Sequence, residues 1–98
     1  MTERPPIIVT HNVADSRFEV RVQDQIAECV YQSNGPVVAL VHTGVPHALE
    51  GKGIAAALVK AALAWARDES LVVQPRCSYV ATYMQRHPET QDLLAKPF

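Results

Sequence analysis

The feature that most constrains this chain is a change of hydrophobic period midway along it. Before the change, Phe18, Val20 and Val22 alternate with Arg17, Glu19 and Arg21, the period-two signature of a strand with one face buried. The run Val37-Val38-Ala39-Leu40-Val41 is apolar without interruption and predicts a central strand covered on both faces. Residues 44–54 then form a loop holding Pro46, Gly51 and Gly53. From about residue 52 to residue 68 the period is helical, with Ile54, Leu58, Ala61 and Trp65 on one stripe and Lys60, Arg67 and Asp68 toward water.

The remaining segments fit around this switch. Ile7-Ile8-Val9-Thr10 is β-branched and predicts a first strand, and residues 11–16 read as a turn. Gln23-Asp24-Gln25 is a tight connection to a strand over residues 26–32, in which Ala27, Cys29 and Tyr31 share a face. Ser33-Asn34-Gly35 predicts a hairpin turn, because Asn and Gly both tolerate positive φ. Leu71-Val72-Val73-Gln74 is a further strand that follows a helix that follows a strand, so it is expected parallel to residues 37–41. A second helix spans residues 78–86 with Ser78 as N-cap, Pro88 limits it, and residues 89–95 form a final turn or short helix. The fold class expected is α/β with a mixed sheet: an antiparallel meander, a β-α-β unit and a short C-terminal helix. With 98 residues this is one domain, 1–98, with its core at about 7–95. In such sheets the ligand crevice lies beyond the carboxyl ends of the parallel strands, here near His42-Thr43-Gly44 and Gln74-Pro75-Arg76-Cys77.

A strand, a glycine-bearing turn and a helix in that order can hold phosphate. The first N–H groups of a helix have no intrahelical partner, and the helix dipole adds positive character there. Gly51 and Gly53 let the backbone approach an anion, and Lys52 adds a full charge. Spacing alone leaves a plain strand-to-helix turn equally open, and no G-x-x-x-x-G-K-[ST] or G-x-G-x-x-G nucleotide signature is present. The net charge of -1, from 9 basic and 10 acidic residues, gives no reason to expect nucleic acid or an anionic membrane as partner. Cys29 and Cys77 form neither a C-x-x-C pair nor a metal-ligand set, so no metal is expected. The sequence carries no apolar signal-peptide region and no apolar run near the roughly 20 residues of a membrane span. Two reduced thiols and these absences point to a cytoplasmic protein.

The stretch His42-Thr43-Gly44-Val45-Pro46, Glu50-Gly51-Lys52-Gly53-Ile54-Ala55, Pro75-Arg76-Cys77-Ser78-Tyr79-Val80, Tyr83 and His87-Pro88-Glu89 resembles the small GNAT-type N-acetyltransferases, near-minimal versions of the GNAT fold. The resemblance runs over roughly residues 18–94. It implies an acetyl-coenzyme A site built from the strand end at Thr43 and Val45 and from Glu50, Gly51, Lys52, Gly53, Ile54 and Ala55. It also implies acetyl transfer to a small amine or a lysine, with a backbone N–H near Val45 as donor to the thioester carbonyl. Two positions depart from the family pattern. Glu50 stands where Arg or Gln usually opens the loop, and Gly44 stands where relatives often carry an acid. A non-catalytic acetyl-coenzyme A-binding module is therefore the alternative reading.

Acetyl transfer needs a base for the amine, stabilisation of the oxyanion and a proton for the leaving thiolate. His42 is a candidate base, since an imidazole titrates near neutrality; the alternative is a strand-end residue that only satisfies backbone groups. Cys77, beside Arg76 and before a helix N-terminus, is a candidate acyl-accepting nucleophile or a lining residue of the acetyl pocket. A small buried apolar role is its alternative. Tyr79 and Tyr83 share a helix face, and Tyr83 is the candidate acid for the thiolate, as the resemblance implies; core packing is the other reading. Cys29 and Trp65 are expected in the core, His11 and His47 in surface loops, His87 at the helix end, and Arg76 exposed. Oligomeric state is left open, although an exposed sheet edge can pair with a second copy.

Overall fold

The structure is a computed structural model that describes residues 6–95. Most of the polar lead, residues 1–5, and residues 96–98 of the expected domain lie outside the described residues. Five strands and two helices follow in chain order: β1 (Thr10–Asn12), β2 (Arg17–Val22), β3 (Gln25–Asn34), β4 (Val37–Gly44), α1 (Ile54–Asp68), β5 (Val72–Pro75) and α2 (Ser78–Arg86). Single 3-10 segments cover His47–Leu49 and Pro88–Leu93. The sheet order is β1-β2-β3-β4-β5, antiparallel up to β4 and parallel between β4 and β5. The mixed α/β class, the meander and the β-α-β unit are as the period switch predicts.

Strand pairing sorts the side chains onto two unlike faces. Phe18 lies opposite Cys29, Val20 opposite Ala27, and Leu40 opposite Tyr31, so these residues share one face. On it they join Val38, Val73, Leu58, Val59, Ala62, Ala66, Val80, Met84 and Leu93 in one continuous core. Both helices therefore pack on this face. The other face carries Arg17, Glu19, Glu28, Gln32 and Gln74 among half-buried Val30 and Val37, with no helix over it among the described residues. This corrects the expectation that β4 is covered on both faces. Its apolar run is buried by α1 on one side and by flanking strands on the other, where Ala39 is shielded without joining the core.

The helix-side stripe is also rotated from the one expected. α1 buries Ile54, Leu58, Val59, Ala62, Leu63 and Ala66, while Ala61 and Trp65 sit at its flank. The alanines at 62 and 66 let the helix axis approach the sheet, and so they, not Ala61 and Trp65, take the centre. Trp65 instead closes an aromatic cluster with Tyr31 (centroids 4.9 Å apart), Phe18 (5.7 Å) and His11 (4.9 Å). His11 is thus no surface-loop residue. It pairs opposite Phe18 in β1, stacks on that ring at 4.1 Å, and holds its Nε2 2.7 Å from the Tyr31 hydroxyl. These contacts draw the first strand to Thr10–Asn12, later than the predicted residues 7–10.

Other boundaries move for local reasons. The β3–β4 hairpin turns on Gly35-Pro36, with Asn34 paired to Val37, rather than on Ser33-Asn34-Gly35. Gly35 has φ 60° and proline fixes a negative φ, so only a turn with glycine first fits. α1 begins at Ile54 rather than Lys52, because Gly53 occupies the N-cap with φ 78°. Cys77, not Ser78, is the N-cap of α2. β5 is Val72–Pro75, one residue later than expected, and the final segment begins at Pro88. Arg67 clamps that segment to α1, with both guanidinium nitrogens on Asp92 at 2.7 and 2.9 Å.

One irregularity reaches the site. Val30 lies opposite His42 and Tyr31 opposite Leu40, so Val41 is an extra residue in β4. This β-bulge reverses the alternation beyond it. Thr43, opposite Cys29, turns to the helix side, and His42 turns to the bare face.

Candidate functional site

β4 and β5 stay paired only as far as Leu40 and Pro75, yet β4 continues to Gly44. The N–H groups of Arg76 and Cys77 both close on the Leu40 carbonyl, at 3.1 and 3.0 Å, and the chain then leaves the sheet into α2. A crevice opens between the two strand ends, as the topology predicts for ligands.

Cys77 stands in this crevice, half-buried, with Sγ 3.5 Å from the Thr43 hydroxyl. Burial by itself raises the thiol's pKa. The Thr43 hydroxyl and the backbone N–H groups of Val80, Tyr79 and Thr43 outweigh it, so Cys77 titrates below an ordinary thiol. Cys29, also near Thr43, is fully buried, and desolvation pushes it up to about 11. The two cysteines thus differ by environment, one poised and one inert.

Beyond the crevice lies the glycine loop. Gly51 and Gly53 adopt φ 76° and 78°, and a Cβ at either would meet nothing within 4 Å. Among the described residues, the first N–H in this region with a backbone acceptor is that of Ala57, which donates to Gly53 at 3.1 Å. The N–H groups of residues 51–56 have no such partner. They form a run of free donors at the N-terminus of a 15-residue helix, with open space in front. This concavity fits a pyrophosphate. Glu50, whose carboxylate would oppose an anion, instead reaches His47, 3.4 Å from its Nδ1. Lys52 lines an adjoining cavity of ≈ 520 Å³, whose wall includes Glu50, Gly51 and Ile54 of the same loop together with Ile7, Ile8 and Arg21.

Two grooves share Ala56 and Tyr79 and so form one channel. The first, ≈ 230 Å³, runs from Val45 over Gly51, Gly53, Ile54 and Ala55 to Tyr79. The second, ≈ 310 Å³, continues between α1 and α2 along Lys60, Tyr83, Arg86 and His87. The channel suits an elongated anionic ligand: free N–H donors near one end, cations at the other, and small alanines between.

These features agree with comparison to known proteins. A family model for the GCN5-related N-acetyltransferases matches residues 17–93. The chain belongs to the GCN5-related N-acetyltransferase family. Relatives within reach include the protein NATD1 of Mus musculus and of Gallus gallus, each 37% identical over 91 residues, covering 90% of this chain and 83% of theirs. The Homo sapiens NATD1 is likewise 37% identical, with 80% of its length covered. An NMR solution structure of a GCN5-like putative N-acetyltransferase from Staphylococcus aureus superimposes with a TM-score of 0.73. It is 22% identical over 94% of this chain and 91% of its own, a likeness of fold.

Against this family frame, the structure brings Thr43 to Cys77 at the end of β4, and Val45 and the glycine loop together along one groove. His42 is set apart from Cys77, on the bare face, with a well-exposed side chain. Tyr83 lines the channel one turn beyond Tyr79, where its ring stacks on His87 at 3.9 Å. Burial, then Glu89 and Tyr79, raise its pKa, so the phenol keeps its proton at neutral pH. The His87 Nδ1 lies 2.7 Å from the Tyr83 carbonyl, whose oxygen only accepts, so the ring N–H donates. His47 and Arg76 are exposed, as expected. Sequence reasoning missed Lys60 and Arg86 as channel residues. Their spacing carried the signal: Ala56 and Lys60, like Tyr79, Tyr83 and Arg86, lie on single helix faces. It also missed Glu28, which only the strand register brings to the site. Among the described residues no cluster of His, Cys, Asp or Glu could hold a metal, and no helix is long and apolar enough to cross a membrane.

Proposed function

We propose that this chain is an acetyl-coenzyme A-dependent N-acetyltransferase acting on a small amine or a lysine in the cytoplasm. The observation that carries the reading is the run of unpartnered N–H groups at residues 51–56, set beside a crevice whose thiol is hydrogen-bonded by Thr43. The main-chain N–H groups of residues 51–56 hold the pyrophosphate, that of Glu50 being taken by the His47 carbonyl. Thr43 and Val45 present the strand edge to the thioester arm, and the Val45 N–H supports the carbonyl oxygen as negative charge develops on it. Lys60 and Arg86 add positive charge along the second groove, away from the pyrophosphate. His42 takes the proton from the amine, and Tyr83 is the candidate donor to the departing thiolate. Cys77 lines the acetyl pocket. In a covalent variant of the reaction its thiolate attacks the carbonyl carbon, an S–C bond forms as the original C–S bond breaks, and the amine then displaces Cys77.

Isothermal titration with acetyl-coenzyme A, together with thiol release over lysine peptides, polyamines and aryl amines, tests this. Saturable binding with acceptor-dependent thiol release supports it, and absence of binding refutes it. A binding module without transfer is the second reading. Gly44, which supplies no side chain at the strand end, and the uncovered sheet face favour it. Binding without release over the whole panel would select that reading.

A further inference from the structure

The bare face of the sheet carries a charged cluster that the cofactor channel does not use. Arg17 sits at its centre, with Nε 2.8 Å from Glu19 and Nη1 3.1 Å from Glu28 Oε1. The second oxygen of Glu28 lies 3.7 Å from His42 Nε2. Glu28 is directly opposite Gly44 in the β3–β4 register. The His42 ring leans into the space a side chain at 44 would need: a Cβ there would stand 2.9 Å from Nε2. Gly44 has no positive φ, so what its lack of a Cβ provides is room for the His42 ring in this orientation. Three positions therefore combine to hold one imidazole over the last residue of β4, beside Val45 and the crevice. The bulge at Val41 turns the ring to this face, Glu28 places a carboxylate oxygen 3.7 Å from Nε2, and Gly44 leaves room.

We propose that Glu28 is the positioning residue for His42, and that the two act as a base pair over Gly44 for an acceptor amine entering from the bare face. The inference rests on the acetyltransferase reading above. The charged groups facing the ring are Glu28 of β3, with Arg17 of β2 behind it. On the β5 side the same face carries the uncharged Gln74, and the exposed Arg76 follows just past the end of that strand. Helix α1 closes the opposite face, so an amine reaching the crevice from the bare side meets His42 first. The ammonium form of the acceptor gives one proton to His42, which passes it to water. Its nitrogen attacks the thioester carbon, the C–N bond forms, and the C–S bond breaks. The departing thiolate takes a proton from Tyr83, and the second nitrogen-bound proton restores that phenol through solvent, leaving amide and free thiol in balance.

The test measures acetyl transfer by the full chain, with the amine panel above, in wild type and in His42→Ala, Glu28→Gln, Glu28→Asp and Gly44→Ala. His42→Ala should lower kcat by about 10²–10⁴-fold, the usual weight of a general base. Glu28→Gln should lower kcat at least about tenfold, with KM for acetyl-coenzyme A within about twofold and partial recovery in Glu28→Asp. Gly44→Ala keeps every charge and should displace only the free end of an exposed ring. It should leave the melting temperature and acetyl-coenzyme A affinity in place while kcat falls. This variant stands even if loss of the Arg17 partner unfolds Glu28→Gln. A wild type active on an amine, with Gly44→Ala and His42→Ala both at wild-type kcat, overturns the pair and leaves the acetyltransferase reading intact. A wild type that binds acetyl-coenzyme A but transfers to no amine overturns both.

Discussion

Gly53 offers the sharpest perturbation, because it serves stability and binding in separable ways. Its φ of 78° places it in the left-handed region, where an L-residue costs about 1–2 kcal/mol. Gly53→Ala should therefore lower stability by that amount, or about 4–16 °C in melting temperature for a domain of this size. The added methyl meets no protein atom within 4 Å, so no clash adds to this. Its effect on ligand is different in kind. The methyl occupies the mouth of the N–H run, where a phosphate oxygen would stand at hydrogen-bond distance. Losing one charge-assisted hydrogen bond costs about 1.5–3 kcal/mol, or roughly 10–150-fold in affinity. Gly53→Val, bulkier and β-branched, should be worse on both counts.

Thermal unfolding with and without acetyl-coenzyme A separates the two effects. Ligand at about 100 times its dissociation constant adds about 2.7 kcal/mol to wild type, a rise of about 11–22 °C. Gly53→Ala should start lower and lose about half or more of that rise at the same ligand concentration. Gly35 supplies the control. It has φ 60°, equally open surroundings, and a place in the distant β3–β4 turn. Gly35→Ala should show a similar loss without ligand and keep the whole ligand-induced rise. If Gly53→Ala keeps the full rise and wild-type affinity by calorimetry, the loop is not the anion cradle.

Further expectations follow from burial and charge. Iodoacetamide should alkylate Cys77 at neutral pH while Cys29 stays unmodified in the folded protein, and Thr43→Ala should slow the Cys77 reaction; mass spectrometry after digestion reads both. Burial lowers the pKa of His11, so the folded state prefers its neutral ring. That contribution is whole above the ordinary imidazole value of about 6.5 and is lost as pH falls through it, so melting temperature should drop more steeply from pH 7 to 5 in wild type than in His11→Gln. Leu58→Ala, at a site of zero exposure, should cost about 2–5 kcal/mol in urea unfolding. Arg67→Ala should leave the urea midpoint close to that of wild type, because its pair with Asp92 is half exposed.

The parts of this protein written in local pattern were legible. The alternation of Phe18, Val20 and Val22 gave a strand with the observed limits, and α2 was read at its observed limits from its own stretch of sequence. The glycine loop was legible because free N–H groups and positive φ are demands that a short sequence must meet in place. What depended on partners was not. His11 reads as part of a turn until Phe18, Tyr31 and Trp65 surround it, since no property of residues 10–12 alone favours a strand strongly. The α1 stripe was misplaced for a related reason. Trp65 dominates any apolar count, yet its bulk cannot lie between helix and sheet where Ala62 and Ala66 can. Glu28 carried no signal either, because a charged residue alternating with Ala27 and Cys29 is what any half-exposed strand shows.

The bulge at Val41 shows most clearly why the site could not be read from spacing. Continued without interruption, the alternation of Val38 and Leu40 would carry His42 to the helix face and Thr43 to the bare one. Thr43 would then leave Cys77, and His42 would point into the packing of α1 without Glu28. One extra residue reverses both at once. It sets the hydroxyl beside the thiol within the crevice and the imidazole beside the carboxylate outside it. The division of labour in the proposed reaction follows from that single shift: α1 and the glycine loop would serve the cofactor from one side, and the bare face would be free to serve the acceptor. Gly44 belongs to the same device. Once His42 is turned outward, a residue without a Cβ at 44 leaves the ring its place, and in the proposed pair with Glu28 this glycine would help to seat the base.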